Sequence, residues 1–251
     1  YVQSAFAQRH PIGDAITAAQ NFFTIMNNDA DVHFGLVTFG QKPGTTATST
    51  APSDYGYSTI GSITNVPSAY VSNGTPSDPL SPAPPNPGID LNPNAGPSYS
   101  NYSAVSSGLT PLVAYGGTDI AGALNASLKM LRTTAQGGRG LSRIGAQKAV
   151  VLFTDGLPTI SSLGGDATAD ARSQASLAHQ YGIPIYCIGL CMVNSLQSSQ
   201  TTILTDQNSN AGTGGIAGIS GCGAAFFQGT KASQLNLIFE NVARSLVQLV
   251  R

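Results

Sequence analysis

Two short stretches of this chain bring oxygen-bearing side chains to the ends of apolar elements. In the first, Gly116-Gly117-Thr118-Asp119-Ile120 opens a helix in which Ile120, Leu124, Leu128 and Leu131 recur at helical spacing. In the second, Val150-Val151-Leu152-Phe153 runs straight into Thr154-Asp155-Gly156. An apolar run closed by Thr-Asp-Gly reads as a covered strand whose carboxyl end meets a functional rim. A threonine hydroxyl and an aspartate carboxylate are hard oxygen ligands, suited to Mg2+ or to another divalent cation such as Mn2+ or Ca2+. Thr118 and Asp155 are therefore the candidate metal-binding residues. The plainer reading is that Thr118 caps its helix and Asp155 closes a turn.

Other reactive side chains point to less. Asp119 stands at the start of its helix, where a carboxylate favours the positive end of the dipole, and Asp166 and Asp170 open a later helix in the same way. His10, His33 and His179 are scattered over a loop, a strand and a helix. Gly218-Ile219-Ser220-Gly221 lacks the fifth glycine of a nucleophile elbow, because Cys222 stands there. Gly116-Gly117-Thr118 could cradle an anion, but no Gly-Lys-Ser/Thr follows to bind a nucleotide. The expectation is a binding protein rather than an enzyme.

The elements needed to hold Thr118 and Asp155 follow in alternation. Ile12, Ala15, Ile16, Ala19, Phe22, Phe23 and Met26 share one helical stripe after Pro11. Residues 32–39 read as a strand covered on both faces, since apolar side chains fall on both sides. After Thr118 a helix is predicted to about residue 135, then a strand over 148–154 and a helix over 167–181. A strand over 184–190, helical sequence over 194–206 and a glycine-rich loop over 212–223 come next. A short strand at 225–228 and a helix over 233–250 close the order. Such alternation predicts an α/β fold: a doubly wound, mainly parallel sheet with helices on both faces. Residues 1–251 read as one domain interrupted by an insertion at about 41–107. That insertion carries 11 of the chain's 15 prolines, and its Pro-rich portion suits neither helix nor central strand. Short β pieces are possible near 57–63. Five tyrosines among its Ser, Gly and Asn resemble binding-loop chemistry.

Composition narrows the setting. Charged residues make up 9% of the chain, far below the roughly 25% of an average soluble domain. A net charge of −1 leaves no basic field for nucleic acid. No apolar run reaches the roughly 20 residues of a bilayer span. Low charge with abundant Ser and Thr suits an exported protein. Of the three cysteines, Cys187 reads as a buried thiol within a strand. Cys191 and Cys222 could bridge in an oxidising compartment, and Cys187 with Cys191 is also within reach.

Taken in order, several stretches resemble a von Willebrand factor A (vWA) domain. Val32-His33-Phe34-Gly35-Leu36-Val37-Thr38-Phe39-Gly40 resembles the second strand of that family, and Gly116 to Ile120 resembles its metal-site threonine loop. Residues 149–156 resemble the strand and aspartate of its third metal loop. Ile185-Tyr186-Cys187-Ile188-Gly189-Leu190 resembles the strand that follows. The tail, with Cys222, Ala225-Phe226-Phe227, Ser233-Gln234-Leu235 and Phe239, is similar to the end of bacterial TadG-type pilus-associated proteins.

The resemblance implies a Rossmann-like fold and a metal-ion-dependent adhesion site (MIDAS) containing Thr118 and Asp155. It implies a Mg2+ ion that leaves one position open to a carboxylate from a protein or surface ligand. It also implies a bacterial extracellular or cell-surface location and contacts with pilus or envelope components. The departure is the family's first motif, Asp-x-Ser-x-Ser at the end of a central strand, which is missing here. The expectation is that the strand, with its metal ligands, comes from outside residues 1–251, from an N-terminal fragment or a neighbouring subunit, and metal binding is conditional on it. A structural subunit of a pilus or envelope assembly, with a vestigial metal site, is the competing function.

Overall fold

The structure, a computed structural model, describes residues 12–29, 31–37, 39, 102–109, 118–138, 142, 145–190, 194–205 and 214–250. Its centre is a parallel sheet of β1 (Val150–Thr154), β2 (Ile185–Leu190) and β3 (Phe226–Gly229), in that order. The register aligns Thr154 with Gly189 and Gly189 with Gln228, so the carboxyl ends of the three strands form one row. All six residues of β2 are buried, which matches its unbroken apolar sequence and its place between two neighbours.

Seven α-helices are found among the described residues: α1 (Ile12–Asp29), α2 (Tyr102–Leu109), α3 (Ile120–Leu131), α4 (Ala167–Gln180), α5 (Asn194–Leu204), α6 (Ile216–Ser220) and α7 (Leu235–Val250). They cover the sheet on both faces, as an α/β fold requires. Side chains alternate along each strand and so divide between two cores. Tyr186, Ile188 and Leu190 join Phe22 and Met26 of α1 and Phe239, Val242 and Leu246 of α7. Phe239 is the hinge of this aromatic layer, with Phe22 at 6.0 Å and Phe153 at 5.7 Å between ring centroids. On the other face, Val150, Leu152, Ile185 and Cys187 meet Ile120, Leu124 and Leu128 of α3, the small Ala171, Ala175 and Ala178 of α4, and Leu204 of α5. Burial pushes the Cys187 thiol far above its ordinary range, so it stays neutral.

Residues 32–39 depart from expectation. They form no ladder among the described residues, and only Leu36 makes an isolated bridge. Their packing is nevertheless that of a doubly covered extended segment: Val32, Phe34 and Leu36 join the α1–α7 core, while Phe39 joins the α3–α4 core. Among the described residues β1 pairs on one side only, with β2. The strand expected between β1 and residues 32–39 is not among them.

Three boundaries are corrected. The helix after Thr118 stops at Leu131, because Arg132 turns extended and Thr133 caps a separate 3-10 turn over Thr134–Gln136. Arg132 then binds the freed carbonyls of Leu128, Gln136 and Gly137, the usual service of a basic side chain at a helix end. The glycine-rich loop at 212–223 contains α6, a five-residue helix between Gly215 and Gly221; so short an element leaves no periodicity to read. The last residues of the predicted insertion, 102–107, lie in α2, where Val105 is fully buried against α1. The possible β pieces near 57–63 lie outside the described residues, as do His10 and Cys191.

Candidate metal-binding rim

Thr154 is the last residue of β1, and its hydroxyl builds the turn that follows. The Gly156 N–H donates to Thr154 Oγ1 at 3.1 Å, and the hydroxyl donates back to the Gly156 carbonyl at 3.3 Å. Thr154 is thereby buried, and Asp155 is left exposed at the rim. Among the described residues none hydrogen-bonds to or ion-pairs with the Asp155 carboxylate.

Thr118 faces this turn. A Cβ placed on Gly156 would lie 2.8 Å from Thr118 Oγ1 and within 3.8 Å of Thr118 Cβ, closer than packed atoms approach. Glycine at 156 is thus what lets the two segments touch. Thr118 does not cap α3; that part of the plainer reading is overturned. Asp119 is the cap, with Oδ1 accepting from the Gly122 N–H at 2.8 Å. Its Oδ2 accepts from the Ser162 N–H at 3.1 Å, so this fully buried carboxylate joins α3 to the loop after β1. The Thr118 hydroxyl has no hydrogen-bond partner among the described residues.

The same loop is held from its far side. Asp170 Oδ2 accepts from the Ser161 hydroxyl and from the Gly165 N–H, while Asp166 caps α4 through the N–H groups of Thr168 and Ala169. The bland reading of Asp119, Asp166 and Asp170 as helix-start residues therefore holds, and for two of them the structure adds a second duty to the rim loop.

Two hard oxygens have no hydrogen-bond partner among the described residues: Thr118 Oγ1, which packs on Gly156, and the carboxylate of Asp155, the residue before it. They fit a divalent cation in kind, and they make up two of the six or so oxygens such an ion takes. Among the described residues no three His, Cys, Asp or Glu side chains gather as a metal cluster. The remaining reactive groups are structural. Ser220 is fully buried, donating to the Ala217 carbonyl and accepting from the Ile185 N–H at the head of β2. His179 Nδ1 lies 3.2 Å from the Ser220 carbonyl, and His33 stands 3.8 Å from Asp31. Cys222 is an exposed free thiol; the pairings suggested for Cys191 lie outside the described residues.

Comparison with known proteins decides the family. The model of the von Willebrand factor type A domain matches residues 96–241, more than half of the chain and the part that carries Thr118 and Asp155. The chain belongs to the vWA family. The pilus adhesin SpaC of Lactobacillus rhamnosus GG has a similar structure, with a TM-score of 0.55 and 13% identity over 98% of this chain. An aspartate-to-alanine mutant of the PilB minor pilin of Streptococcus sanguinis matches with a TM-score of 0.51 and 12% identity over 94% of this chain. At such identities the likeness shows the vWA fold alone. The chain spans 29% of the length of SpaC and 54% of that of the minor pilin. No curated protein matches by sequence. Among the described residues no helix of this vWA domain is long and apolar enough to cross a membrane.

Proposed function

We propose that this vWA domain is the ligand-binding module of a bacterial surface or pilus adhesin, and that its rim binds a protein or surface ligand through a divalent cation, Mg2+ in the first place. The observation that carries this reading is the Asp155 carboxylate, exposed at the end of β1 and without a partner among the described residues, while the Thr118 hydroxyl rests on the next residue. Among the described residues neither this carboxylate nor the Thr118 hydroxyl has a partner, which leaves both oxygens free to serve as part of a cation site. Thr118 and Asp155 would hold the ion. Such an ion acts as a Lewis acid, able to take a carboxylate of the partner as a further ligand. The pilus adhesin and the minor pilin of similar fold support a location at the cell surface. The role is binding, not catalysis.

The test uses Mn2+ as the probe, with thermal melting and calorimetric titration after chelation by EDTA. A ligand that binds only the folded state stabilises it by about 2.7 kcal/mol at a hundredfold excess over Kd. Millimolar Mn2+ should therefore raise the melting temperature of the wild type by several degrees, and Asp155→Ala and Thr118→Val should abolish the shift. A wild type that neither shifts nor titrates would refute the cation-dependent reading.

A second reading has its own support. The minor pilin is a pilus subunit by its name, and the described residues supply only two oxygens. A structural subunit with a vestigial site would associate with itself or with pilus and envelope components whatever the cation. Sedimentation of the protein in EDTA and in Mn2+ separates the two, since only the structural subunit gives the same assemblies in both.

A further inference from the structure

Thr118 precedes the cap of α3, so its backbone groups lie outside the helix. One residue takes up both. The Thr118 N–H donates to Thr159 Oγ1 at 2.8 Å, and the Thr159 N–H donates to the Thr118 carbonyl at 3.0 Å. The Ile160 N–H reaches the same carbonyl at 3.5 Å. Thr159 is itself in the rim loop, four residues after Asp155. Between them Pro158 fixes its own φ and holds Leu157 away from helical angles, so the chain leaves Asp155 along a restricted path and returns to Thr118.

We infer that Thr159 is the positioning residue of this rim: its hydroxyl and N–H clamp the Thr118 backbone, and thereby set the Thr118 hydroxyl against Gly156, the residue after Asp155. The inference rests on the cation reading proposed above and names the part that preorganises it. With the peptide clamped, Thr118 Oγ1 has only its own side-chain torsion left, and Gly156 stands in van der Waals reach of it. An oxygen held in place before an ion arrives binds it more tightly than one that must be ordered by it. Thr159 is exposed and belongs to neither core. Its hydroxyl thus has little to add to global stability, and its effect is local. Asp119 and Asp170, which tie down Ser162, Ser161 and Gly165, keep the rest of the loop from drifting away.

The experiment compares the wild type with Thr159→Val, which keeps the shape and removes the hydroxyl, and Thr159→Ser, which restores it. Mn2+ affinity is measured by calorimetry, and exchange of the Thr118 amide proton is measured by NMR in EDTA. Thr159→Val should weaken Mn2+ about three- to tenfold, the worth of one hydrogen bond. It should speed exchange at Thr118 at least as much, with the melting temperature within about 2 °C of wild type. Thr159→Ser should recover both. Unchanged exchange at Thr118 in Thr159→Val overturns the clamp, and faster exchange with unchanged Mn2+ affinity overturns its role in positioning. If the wild type takes up no Mn2+, the cation reading fails, and amide exchange alone then decides whether the clamp exists.

Discussion

Near the carboxyl ends of the three strands Thr154, Gly189 and Gln228 form one row, yet the two sides of that row are built in opposite ways. Beyond Thr154 the rim is open: Asp155 is exposed, and its carboxylate is unpartnered among the described residues. Over Gly189 and Gln228 the rim is roofed by α5. Gln200 is buried against Gly189, where an added Cβ would lie 2.8 Å from Gln200 Oε1, and Thr201 donates to Gln228 Oε1 at 3.0 Å. The roofed side hides polar atoms without satisfying them, since both polar atoms of the Gln200 amide and Nε2 of Gln228 are buried with no hydrogen bond. The open side leaves its polar atoms to solvent or to a ligand. Sheets of this kind bind ligands beyond their carboxyl ends, and among the described residues the side beyond Thr154 is the one that offers exposed oxygens.

That contrast can be broken most forcefully under the roof. Gly189→Val would drive side-chain atoms into Gln200 and into Leu204, whose Cδ1 lies 3.1 Å from the added Cβ. Overpacking of this kind costs about 1–3 kcal/mol, so a urea melt should show a clear loss of stability with no change in Mn2+ affinity. Asp119→Ala comes next. It removes the cap of α3 and strands the Ser162 N–H, with an expected loss of about 1–2 kcal/mol, and it should loosen the open rim and so weaken Mn2+ as well. Gln200→Leu should do little harm. Replacing a buried amide that lacks partners by an apolar group of similar size removes a desolvation cost of about 1–3 kcal/mol, so equal or greater stability is expected, and a marked loss would mean that the amide is satisfied in solution by a bound water. The smallest effect on folding belongs to Asp155→Asn. In EDTA its melt should match the wild type to within about 0.5 kcal/mol, because the carboxylate holds nothing together. A large loss there would turn Asp155 into a structural residue and close the difference between the two sides.

Thiol labelling gives a smaller check on the same architecture. Cys222 is exposed and should react at once with a maleimide, whereas Cys187 is buried in β2 and held neutral by its surroundings. It should react only on unfolding.

Much of this was legible in the chain because strong local signals carried it. The unbroken apolar run of β1 and the apolar stripe of α3 announced their elements, and Thr-Asp-Gly announced the turn at the rim. Residues 32–39 show the limit. Apolar side chains on both sides foretold packing on both faces, which is present, but a ladder needs a partner, and pairing is not written in the pattern of one segment. α6 was missed because five residues flanked by glycines give no period. The roles of Thr118 and Asp119 were transposed in part: either side chain can cap a helix, and only the backbone angles at the junction decide which one does.

The sequence by itself determined the fold class and the family, since periodicity, turn chemistry and motif order are properties of neighbours along the chain. The tertiary structure alone decided that Gly156 lets Thr118 approach the turn after β1, that Thr159 clamps Thr118 across 41 residues, and that α5 packs against Gly189 and Gln228. Those depend on which segments approach one another, and such contacts follow from how two apolar cores pack on one sheet, a quantity that no single stretch of the chain contains.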